Sequence, residues 1–450
     1  MARIPRHWRS ALACSVAVGF VFAGALSIGS GAGERLPSDD LGWRDFARPS
    51  FIPSPPDNVP TPEKIALGEK LFRDPRLSAN GKIACASCHD PRLAFTDGEP
   101  TGRGVTERRS KRHTPTLWNL AWAPTLLWDG RATSLEDQAL HPLEHPDEMG
   151  NQLDRIVEWL SAEEDYRRDF QAAFPGDQAI TPRNVLKAIA AYERTLVSPP
   201  TRFDRWISGD DGALTEEEKA GFAIFAGKGR CIACHSGFAF TDHSFHDIGL
   251  PTDDLGRGPV LGVPEINHGF KTPGLRELAW TAPYMHNGSL ATLEDVIRHY
   301  ESGGISRPSR SKDMPDGLML SDDERAALIA FLGTLSSDSA PRPSREDWVL
   351  RGTMPATAQR NRAVPVSATT VSQREKHFTP GVIAIEAKRP LTILNDDSRT
   401  HNVRIFDSRF DFNSGAQEPG ESVTLNLPEV GTFDAFCGIH PTMRLRIEVH

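Results

Sequence analysis

Two copies of one five-residue pattern constrain this chain more than any other feature. Both read Cys-x-x-Cys-His, and they consist of Cys85, Cys88 and His89 in the first copy and Cys231, Cys234 and His235 in the second. In this pattern the two thiols form thioethers with a haem, and the histidine becomes the proximal ligand of its iron. A zinc or redox dithiol site requires no histidine at that place. The repeated histidine therefore predicts two covalent haem c groups.

The N-terminal residues 1–30 have the composition of an export signal. Arg3, Arg6 and Arg9 precede an apolar run that is followed by small residues, which is the order found in signal peptides. Export and thioether-bound haem both predict a periplasmic protein. The apolar run is also long enough for an anchor, so attachment to a membrane is expected only if the signal is not cleaved.

Length, charge and cysteine content narrow the possibilities further. A chain of 450 residues is too long for one ordinary core, and several domains are expected. The formal net charge of −9, with no basic tract, excludes nucleic acid as an expected partner. Outside the signal, Cys437 is the one cysteine that the haem motifs do not use. An unpaired thiol in an oxidising compartment requires an explanation.

Helix-start signals divide the middle of the chain into two similar units. Proline and small polar residues predict linkers over 31–60 and 336–364. Between them, helix starts are predicted at Thr61-Pro62, Ser161-x-x-Glu164, Thr181-Pro182, Thr215-x-x-Glu218, Thr292 and Ser321-x-x-Glu324. Because a helix precedes each haem motif, two mainly α cytochrome c-like domains are predicted, at 61–200 and 201–335.

The last part of the chain, residues 365–450, changes to a period of two, which predicts an all-β sandwich. This segment contains His401, Cys437, His440 and Met443. Two histidines and a cysteine in a plane with a weak axial methionine form a type 1 copper site. A buried free thiol beside a core methionine is the other interpretation of these residues.

The same segment resembles the cupredoxins, and amicyanins in particular. The resemblance is carried by the strand pattern, by the run His440-Pro441-Thr442-Met443-Arg444 and by His401-Asn402-Val403. It implies a Greek-key sandwich that holds one copper ion through His401, Cys437, His440 and Met443.

Residues 61–335 resemble the bacterial di-haem cytochrome c peroxidase family, including its MauG-like branch. Several phrases carry the resemblance in the family's order: Thr114-Pro115-Thr116-Leu117-Trp118-Asn119, Leu127-Trp128-Asp129-Gly130-Arg131, Gln138-Ala139, Glu148-Met149 and Thr281-Ala282-Pro283-Tyr284-Met285-His286-Asn287-Gly288. The resemblance implies a peroxidatic haem in the first domain and an electron-transfer haem in the second.

The resemblance also implies roles for individual residues. Glu148 is expected to be the distal acid-base at the first haem, with Gln138 in the same pocket, and Trp128 the electron bridge between the haems. Without the resemblance, Glu148 reads as a solvated loop carboxylate. His286 is expected near the haems, whereas His141, His145, His243, His246, His268 and His299 are expected in loops or at the surface.

Three positions depart from the commonest pattern of the family. Val105 stands where other members have a histidine that blocks the first haem, so an open first haem is expected. Tyr300 stands where they have a methionine ligand to the second haem, as in the MauG-like branch; if Tyr300 only packs, Met285, Met314 or Met319 is the alternative. The family's calcium site would use the carbonyls of Thr281 and Pro283. Its asparagine is replaced here by His113, a poor calcium ligand.

The leading hypothesis is a periplasmic oxidoreductase of the cytochrome-c peroxidase type. It reduces hydrogen peroxide to water at the first haem, with electrons that pass from the copper domain through the second haem. A second hypothesis is a MauG-like oxidase that uses a high-valent di-haem state to oxidise residues of a partner protein, which Val105 and Tyr300 favour. A third is a non-catalytic electron-transfer protein, against which Glu148 and the open first haem argue. The expected partners are hydrogen peroxide and either an electron donor or an oxidised protein.

Overall fold

The computed structural model describes residues 43–176, 180–339, 353–355 and 366–450. The predicted signal, the first part of the first linker and most of the second linker lie outside the described residues. Residues 43–450 belong to one compact unit. Within the described ranges, none of the helices has the length and apolar character that crossing a bilayer demands.

Helices surround both haem motifs. Their bounds are α1 Pro62–Phe72, α2 Cys85–Cys88, α3 Leu135–Glu144, α4 Leu153–Ala162, α5 Glu164–Ala173, α6 Pro182–Glu193, α7 Arg202–Ile207, α8 Glu216–Ala226, α9 Arg257–Leu261, α10 Leu293–Ser302 and α11 Asp322–Gly333. Five predicted starts are confirmed, because the side chains of Thr61, Thr181, Thr215, Thr292 and Ser321 each accept a backbone hydrogen bond in the first turn. The start predicted at Ser161 is wrong. Ser161 lies inside α4 and donates to Val157 O, and the next helix begins at Glu164.

The two haem regions are built on the same helix crossing. α1 packs against α6, and α8 packs against α11. Glycine makes both approaches possible: a Cβ on Gly68 would lie 2.0 Å from Ala188 O, and a Cβ on Gly221 would lie 2.0 Å from Ala327 O. Each crossing has its own apolar core. The expectation of a duplicated, mainly α architecture therefore agrees with the observed packing.

The strands are concentrated in the C-terminal region. Their bounds are β1 Ile52–Ser54, β2 Phe245–His246, β3 Phe270–Lys271, β4 Thr353–Pro355, β5 Val366–Ser367, β6 Thr370–Arg374, β7 His377–Thr379, β8 Val382–Ile385, β9 Leu391–Asn395, β10 Arg404–Asp407, β11 Phe410–Asn413, β12 Ser422–Leu425, β13 Gly431–Phe436 and β14 Arg444–Val449. One sheet has the order β11-β10-β13-β14-β8-β5, and the other has the order β12-β9-β6-β7. Strands were predicted at the sites of β8, β9, β10, β12 and β14, and the others were not.

The two C-terminal sheets bury one common core. Val371 and Ile393 come from the four-stranded sheet, and Ile383, Phe433 and Ile447 come from the six-stranded one. This is the two-layer packing expected of a β-sandwich. The same core also includes Leu261, Val263 and Ile266, which belong to α9 and the turn after it. The β region therefore shares its core with the second haem region.

The segment before α1 differs from the predicted linker. Phe46 is fully buried and packs against the rings of Phe203, Phe222 and Phe240 of the second haem region. β1 pairs in parallel with β4. The proline-rich residues are extended, as their composition predicts, but they lie against the core because they carry buried apolar side chains.

Candidate functional site

The first Cys-x-x-Cys-His motif forms a short helix that ends in a held histidine. His89 Nδ1 lies 2.9 Å from the carbonyl oxygen of Phe95. A ring that donates from Nδ1 leaves the Nε2 lone pair free for a metal. Burial lowers the pKa of His89, which favours this neutral form, and burial raises the pKa of the Cys85 thiol to about 12. A pair of neighbouring cysteines followed by a histidine with a free Nε2 is a donor set that fits a haem c.

The second motif repeats this geometry. His235 Nδ1 lies 3.0 Å from the carbonyl oxygen of Phe240, again leaving Nε2 free. Burial lowers the pKa of His235 and raises the pKa of Cys231 to about 12. The protein environment thus treats both motifs alike, and both donor sets fit a haem c.

Unpaired polar atoms in the first haem region also fit a large bound group. Among the described residues, Gln138 Oε1 and Trp118 Nε1 are buried without a hydrogen-bond partner. Trp118 belongs to the apolar cluster that also contains Cys85. Buried polar atoms are normally paired; the Trp118 N–H would fit an acceptor such as a haem propionate, and the Gln138 oxygen would fit a donor such as a bound substrate.

Glu148 lies beside the first motif. Cys88 Sγ contacts the carbonyl oxygen of Arg103 at 3.8 Å, and Val105, two residues on, donates its N–H to Glu148 O at 2.8 Å. Burial raises the pKa of Cys88 to about 11, and the charges of Asp97 and Glu148 add to that rise. The Glu148 side chain is 42% exposed, and its Oε1 lies 3.8 Å from His145 Nδ1. A carboxylate here can exchange protons with solvent.

Trp128 lies where the two haem regions meet. Its indole N–H donates to His113 O at 2.8 Å, and its own carbonyl oxygen accepts a hydrogen bond from Lys271 N at 2.9 Å. The ring is buried and lies edge-on to His286, with 6.5 Å between centroids. His286 in turn stacks on Phe270. The position of Trp128 therefore agrees with an inter-haem role, which stays a prediction.

Tyr300 lies in the last turns of α10, close to the second motif. Burial raises the pKa of its phenol, and the nearby Cys234 and Cys231 thiolates would raise it further. A bound ferric iron reverses that preference, because a metal cation favours the phenolate. Of the three alternative ligands, Met319 is 88% exposed, which makes it an unsuitable one.

The predicted calcium site gains no support from the side chains around it. His113 is buried and directs Nδ1 to the carbonyl oxygen of Glu99, at 2.9 Å. The hydroxyl of Thr281 donates to Leu278 O. In the described part of the chain, neither Thr281 nor Pro283 has a cluster of metal-ligating side chains around it. Calcium therefore stays a prediction.

The predicted copper ligands come together at one buried place. Cys437 Sγ lies 3.8 Å from His401 Nδ1 and 3.6 Å from His440 Nδ1, and the two nitrogens are 3.1 Å apart. A circle through three atoms at these separations has a radius of about 2.0 Å, close to the roughly 2.0–2.3 Å of metal bonds to nitrogen and sulfur. The donor set and its spacing fit a copper ion bound by two imidazoles and a thiolate.

Surrounding groups hold this triangle of ligands in place. The backbone N–H groups of Asn402 and His440 both donate to Cys437 Sγ at 3.4 Å. Asp397 Oδ2 lies 3.1 Å from His401 Nε2 and orients the ring so that Nδ1 faces the centre. Met443 is buried in the same core. These are the surroundings expected of a preformed metal site rather than of a free core cysteine.

The candidate copper site lies against the second haem motif. The rings of His440 and His246 have centroids 6.3 Å apart. His246 Nε2 lies 3.0 Å from Asp242 Oδ2, and Asp242 donates its backbone N–H to Cys234 O at 2.7 Å. Lys376 of the β region donates to the Asp242 carboxylate at 2.9 Å and to Ala233 O, inside the haem motif, at 3.1 Å.

The sequence interpretation of His246 is therefore wrong, since this residue is buried between the two sites rather than at the surface. Cys234, Asp242 and His246 also form a cluster of metal-ligating side chains, but Cys234 is predicted to attach a haem. No motif marks Asp242, His246 or Lys376. Asp242 and His246 lie near the haem motif within the second haem region itself, whereas Lys376 reaches it because the β region folds back onto the motif.

Comparisons with known proteins agree with this geometry. Residues 62–212 match the family described as di-haem cytochrome c peroxidase. The methylamine utilization protein MauG of Methylorubrum extorquens is 44% identical over 330 residues, which cover 71% of this chain and 93% of that protein. Cytochrome-c peroxidase IdrP1 of Denitromonas iodatirespirans is 38% identical over 322 residues, with coverages of 63% and 84%.

A crystal structure of a MauG-like protein associated with microbial copper homeostasis is similar in fold, with a TM-score of 0.61 and 34% identity. The similarity covers 68% of this chain and 96% of that one. This chain spans more than nine-tenths of two relatives, one at 44% and one at 34% identity. Similarity of this extent indicates the same haem-binding frame. The chain belongs to the family of di-haem cytochrome c peroxidases that includes MauG.

Proposed function

We propose that this protein is a periplasmic peroxidase with a built-in electron supply. Residues 61–200 hold the haem at which hydrogen peroxide is reduced to water, residues 201–335 hold the electron-transfer haem, and residues 365–450 form a cupredoxin domain with type 1 copper. Electrons enter at the copper and pass through the second haem to the first.

One observation carries the proposal: the candidate copper site lies against the second haem motif and not the first. The ring centroid of the copper-ligand candidate His440 lies 6.3 Å from that of His246, whose partner Asp242 donates its N–H to Cys234 O in the haem motif at 2.7 Å. The ion pair between Lys376 and Asp242, at 2.9 Å, fixes the β region on that motif. Because the donor is part of the same chain, its effective concentration is set by geometry rather than by diffusion.

Proton delivery at the first haem is assigned to Glu148. A haem held by Cys85, Cys88 and His89 supplies the redox-active iron for a two-electron reduction that consumes two protons. General acid–base transfer by a carboxylate at hydrogen-bond reach contributes roughly 10²–10⁴-fold to such a step. The partly exposed Glu148 side chain is able to recover its proton from solvent after each turnover. Gln138, with its unpaired buried Oε1, is assigned to positioning the substrate.

The copper supply is tested in the whole protein with Cys437→Ser, since serine keeps the size of the side chain and removes the thiolate. Peroxide turnover is measured with a reducing dye as donor, beside dithionite-reduced protein in a single turnover. We expect loss of the type 1 copper signal and a dye-dependent turnover lowered at least about tenfold, while the single turnover of pre-reduced haems is unchanged. Equal dye-dependent turnover in the variant contradicts the copper route.

A second candidate function is favoured by Tyr300 and by the 44% identity to MauG. In this alternative the protein oxidises residues of a partner protein, and the copper carries the extracted electrons away. Tyr300 supports it because an anionic phenolate stabilises oxidised iron.

The two functions predict opposite effects of the copper site on electron flow. Wild type and Cys437→Ser, each in the fully oxidised form and in a form reduced beforehand, are mixed with excess peroxide and followed by EPR and absorption spectroscopy. The peroxidase proposal expects copper to be oxidised within each turnover when it is reduced beforehand. Oxidation of an added protein partner, with copper becoming reduced, favours the oxidase instead. The starting EPR spectrum should contain one high-spin haem, one low-spin haem and a type 1 copper signal.

A further inference from the structure

Arg257, the first residue of α9, is a buried arginine that no haem or copper motif uses. It is 3% exposed. In the part of the chain that the structure describes, its guanidinium pairs with no carboxylate and instead donates to backbone carbonyl oxygens. A buried cation without an ion-pair partner is costly. The carbonyl oxygens that accept its hydrogen bonds show which segments it joins.

The guanidinium joins two segments that are distant in sequence. Nε and Nη2 both donate to Gly438 O, each at 3.1 Å. Nη1 donates to Asp129 O at 2.9 Å and to Gly130 O at 2.7 Å. Gly438 directly follows the copper-ligand candidate Cys437, and Asp129 directly follows Trp128. One side chain thus connects the copper loop, residues 437–443, with the inter-haem segment, residues 128–131.

Close packing surrounds Arg257. Its guanidinium lies over the ring of Phe245, 4.4 Å from the centroid, and Phe245 donates its N–H to Ile439 O in the copper loop. Gly130 has φ +68°, and a Cβ there would lie 2.1 Å from the Phe245 ring. A Cβ on Gly438 would lie 2.7 Å from Leu261 Cδ1. Both carbonyl segments approach the arginine where they do because they carry glycine.

The charge on Arg257 is not cancelled locally. Among the carboxylates, the charge of Asp129 acts most strongly on Arg257. The Asp129 side chain already pairs with Arg112 at 2.6 Å and with Arg131. Burial lowers the pKa of Arg257 to about 10, so the guanidinium stays protonated at neutral pH. A full positive charge therefore lies one hydrogen bond from the residue that follows Cys437, and it acts on the Cys437 thiol in surroundings that screen it weakly.

We propose that Arg257 is a positioning residue that locks the copper loop to the inter-haem tryptophan segment and raises the reduction potential of the bound copper. The inference rests on the proposed copper site and deepens it. When Cu(II) accepts one electron and becomes Cu(I), the charge of the site falls by one and no bond or proton changes. A fixed positive charge nearby stabilises the reduced form. Without Arg257 the copper becomes harder to reduce, and both segments lose a shared restraint.

The test uses the whole holoprotein in three versions. Arg257→Met removes the charge and every hydrogen bond, Arg257→Lys keeps the charge and loses the forked geometry, and Arg446→Met removes a partly exposed arginine from β14 as a matched control. The copper potential is measured by titration at the copper absorption band. Hydrogen exchange is followed by mass spectrometry in peptides covering residues 126–132 and 436–443.

In Arg257→Met we expect a lower copper potential and exchange on the order of tenfold faster in both peptides. In Arg257→Lys the potential should stay near the wild-type value while exchange in both peptides rises. Arg446→Met should change neither readout. An unchanged potential in Arg257→Met, or wild-type exchange in Arg257→Lys, overturns the inference.

The lysine variant keeps the inference testable if the methionine variant does not fold. Exchange is measured in copper-free protein as well, which separates this inference from the proposed function. If the wild type binds no type 1 copper, the proposed function fails. Faster exchange of both peptides in the Arg257 variants would still show that Arg257 holds the two segments together.

Discussion

The two haem regions share a backbone frame and differ at a few residues that are assigned functional roles. In both, a one-turn 3-10 helix with the sequence Leu-Ala-Trp follows a residue of positive φ: Leu120–Trp122 after Asn119, and Leu278–Trp280 after Glu277. Each region then forms a tight turn closed by a backbone bridge, Leu126–Ala132 in the first and Tyr284–Leu290 in the second. A helix follows in each, with Ser134 or Thr292 as its N-cap residue. The duplication therefore extends far beyond the haem motifs.

Beyond that frame the two regions diverge. Trp128 occupies the same place in its turn as His286 does in the other, and the two rings meet across the interface. After α3 the first region continues to the partly exposed Glu148, whereas α10 of the second region places Tyr300 near its own haem motif. The shared frame holds haem. The residues that differ between the two regions are the ones assigned to the distal sides, with an open side proposed at the first haem and a ligated side at the second.

The largest effect that separates the two regions is expected from Glu148→Gln. Loss of the acid–base group should lower the rate of peroxide reduction by roughly 10²–10⁴-fold, because glutamine fills the same space but transfers no proton. The reduction potential of the second haem should not change. Stopped-flow measurement of the reaction of pre-reduced protein with peroxide gives the rate.

The matched control for Glu148 is Glu158→Gln, which neutralises an exposed carboxylate on α4. It should leave the rate unchanged. If Glu148→Gln also reacts at the wild-type rate, the first region has no acid–base group at this position. The main proposed difference between the two haem regions is then absent.

A second, smaller effect is expected from Tyr300→Phe in the other region. Loss of a phenolate ligand should raise the potential of the second haem on the order of 0.1 V, within the roughly 0.8 V range that axial ligands span. The spectrum of the first haem should be unaffected. Tyr284→Phe, whose hydroxyl donates to Leu278 O, is the control in the same region. If the reduction potential of the second haem changes equally in Tyr300→Phe and Tyr284→Phe, Tyr300 only packs beside this haem.

Much of this asymmetry was accessible from the sequence. The haem motifs, the helix caps and the copper ligands are local signals, because their spacing along the chain determines their spacing in space. His401 is the exception among the candidate copper ligands, since it lies 36 residues before Cys437 and ahead of β10, and the cupredoxin resemblance supported its assignment. Glu148, Trp128 and Tyr300 were identified only through the family resemblance, because a lone carboxylate or aromatic residue carries no signal of its own.

The contacts between the regions were not accessible from the sequence. His246 was expected in a loop or at the surface because no motif marks it, yet Asp242 and Ser311 pair with both of its ring nitrogens in the interior. Arg257 and Lys376 look like ordinary surface cations in sequence. Their partners belong to segments more than a hundred residues away, and no pattern of residue types encodes such a meeting.

A third prediction tests whether the two helix crossings are equivalent. Gly68→Ala and Gly221→Ala each place a methyl group 2.0 Å from a backbone carbonyl oxygen, so both should lower the free energy of unfolding by about 1–3 kcal/mol. Chemical denaturation followed by circular dichroism measures the change. Gly333→Ala, where the structure leaves open space around the Cβ, should not destabilise. Unequal losses at Gly68 and Gly221 would show that one crossing is more tolerant and that the duplicated frame has relaxed there.

The smallest effect is expected from an acid-sensitive contact that the first region makes through α5. Asp74 is buried, which alone would raise its pKa, but hydrogen bonds from Arg76 and from the Tyr166 hydroxyl, at 2.7 Å, lower it below its ordinary value. A carboxyl with a depressed pKa in the folded state stabilises the fold above its unfolded pKa of about 3.9, and that stability is lost as the pH falls.

Asp74→Asn should therefore lower stability by about 1 kcal/mol at neutral pH and by less as the pH falls through the acid range. Hydrogen exchange in a peptide covering α5 measures this change locally, and Asp154→Asn on the exposed side of α4 is the control. The second region pairs Asp204 with Arg276 instead, so its peptides should exchange as in the wild type. If exchange rises equally in both regions, the first region does not open independently, and the two haem units respond as one cooperative body despite their different distal sides.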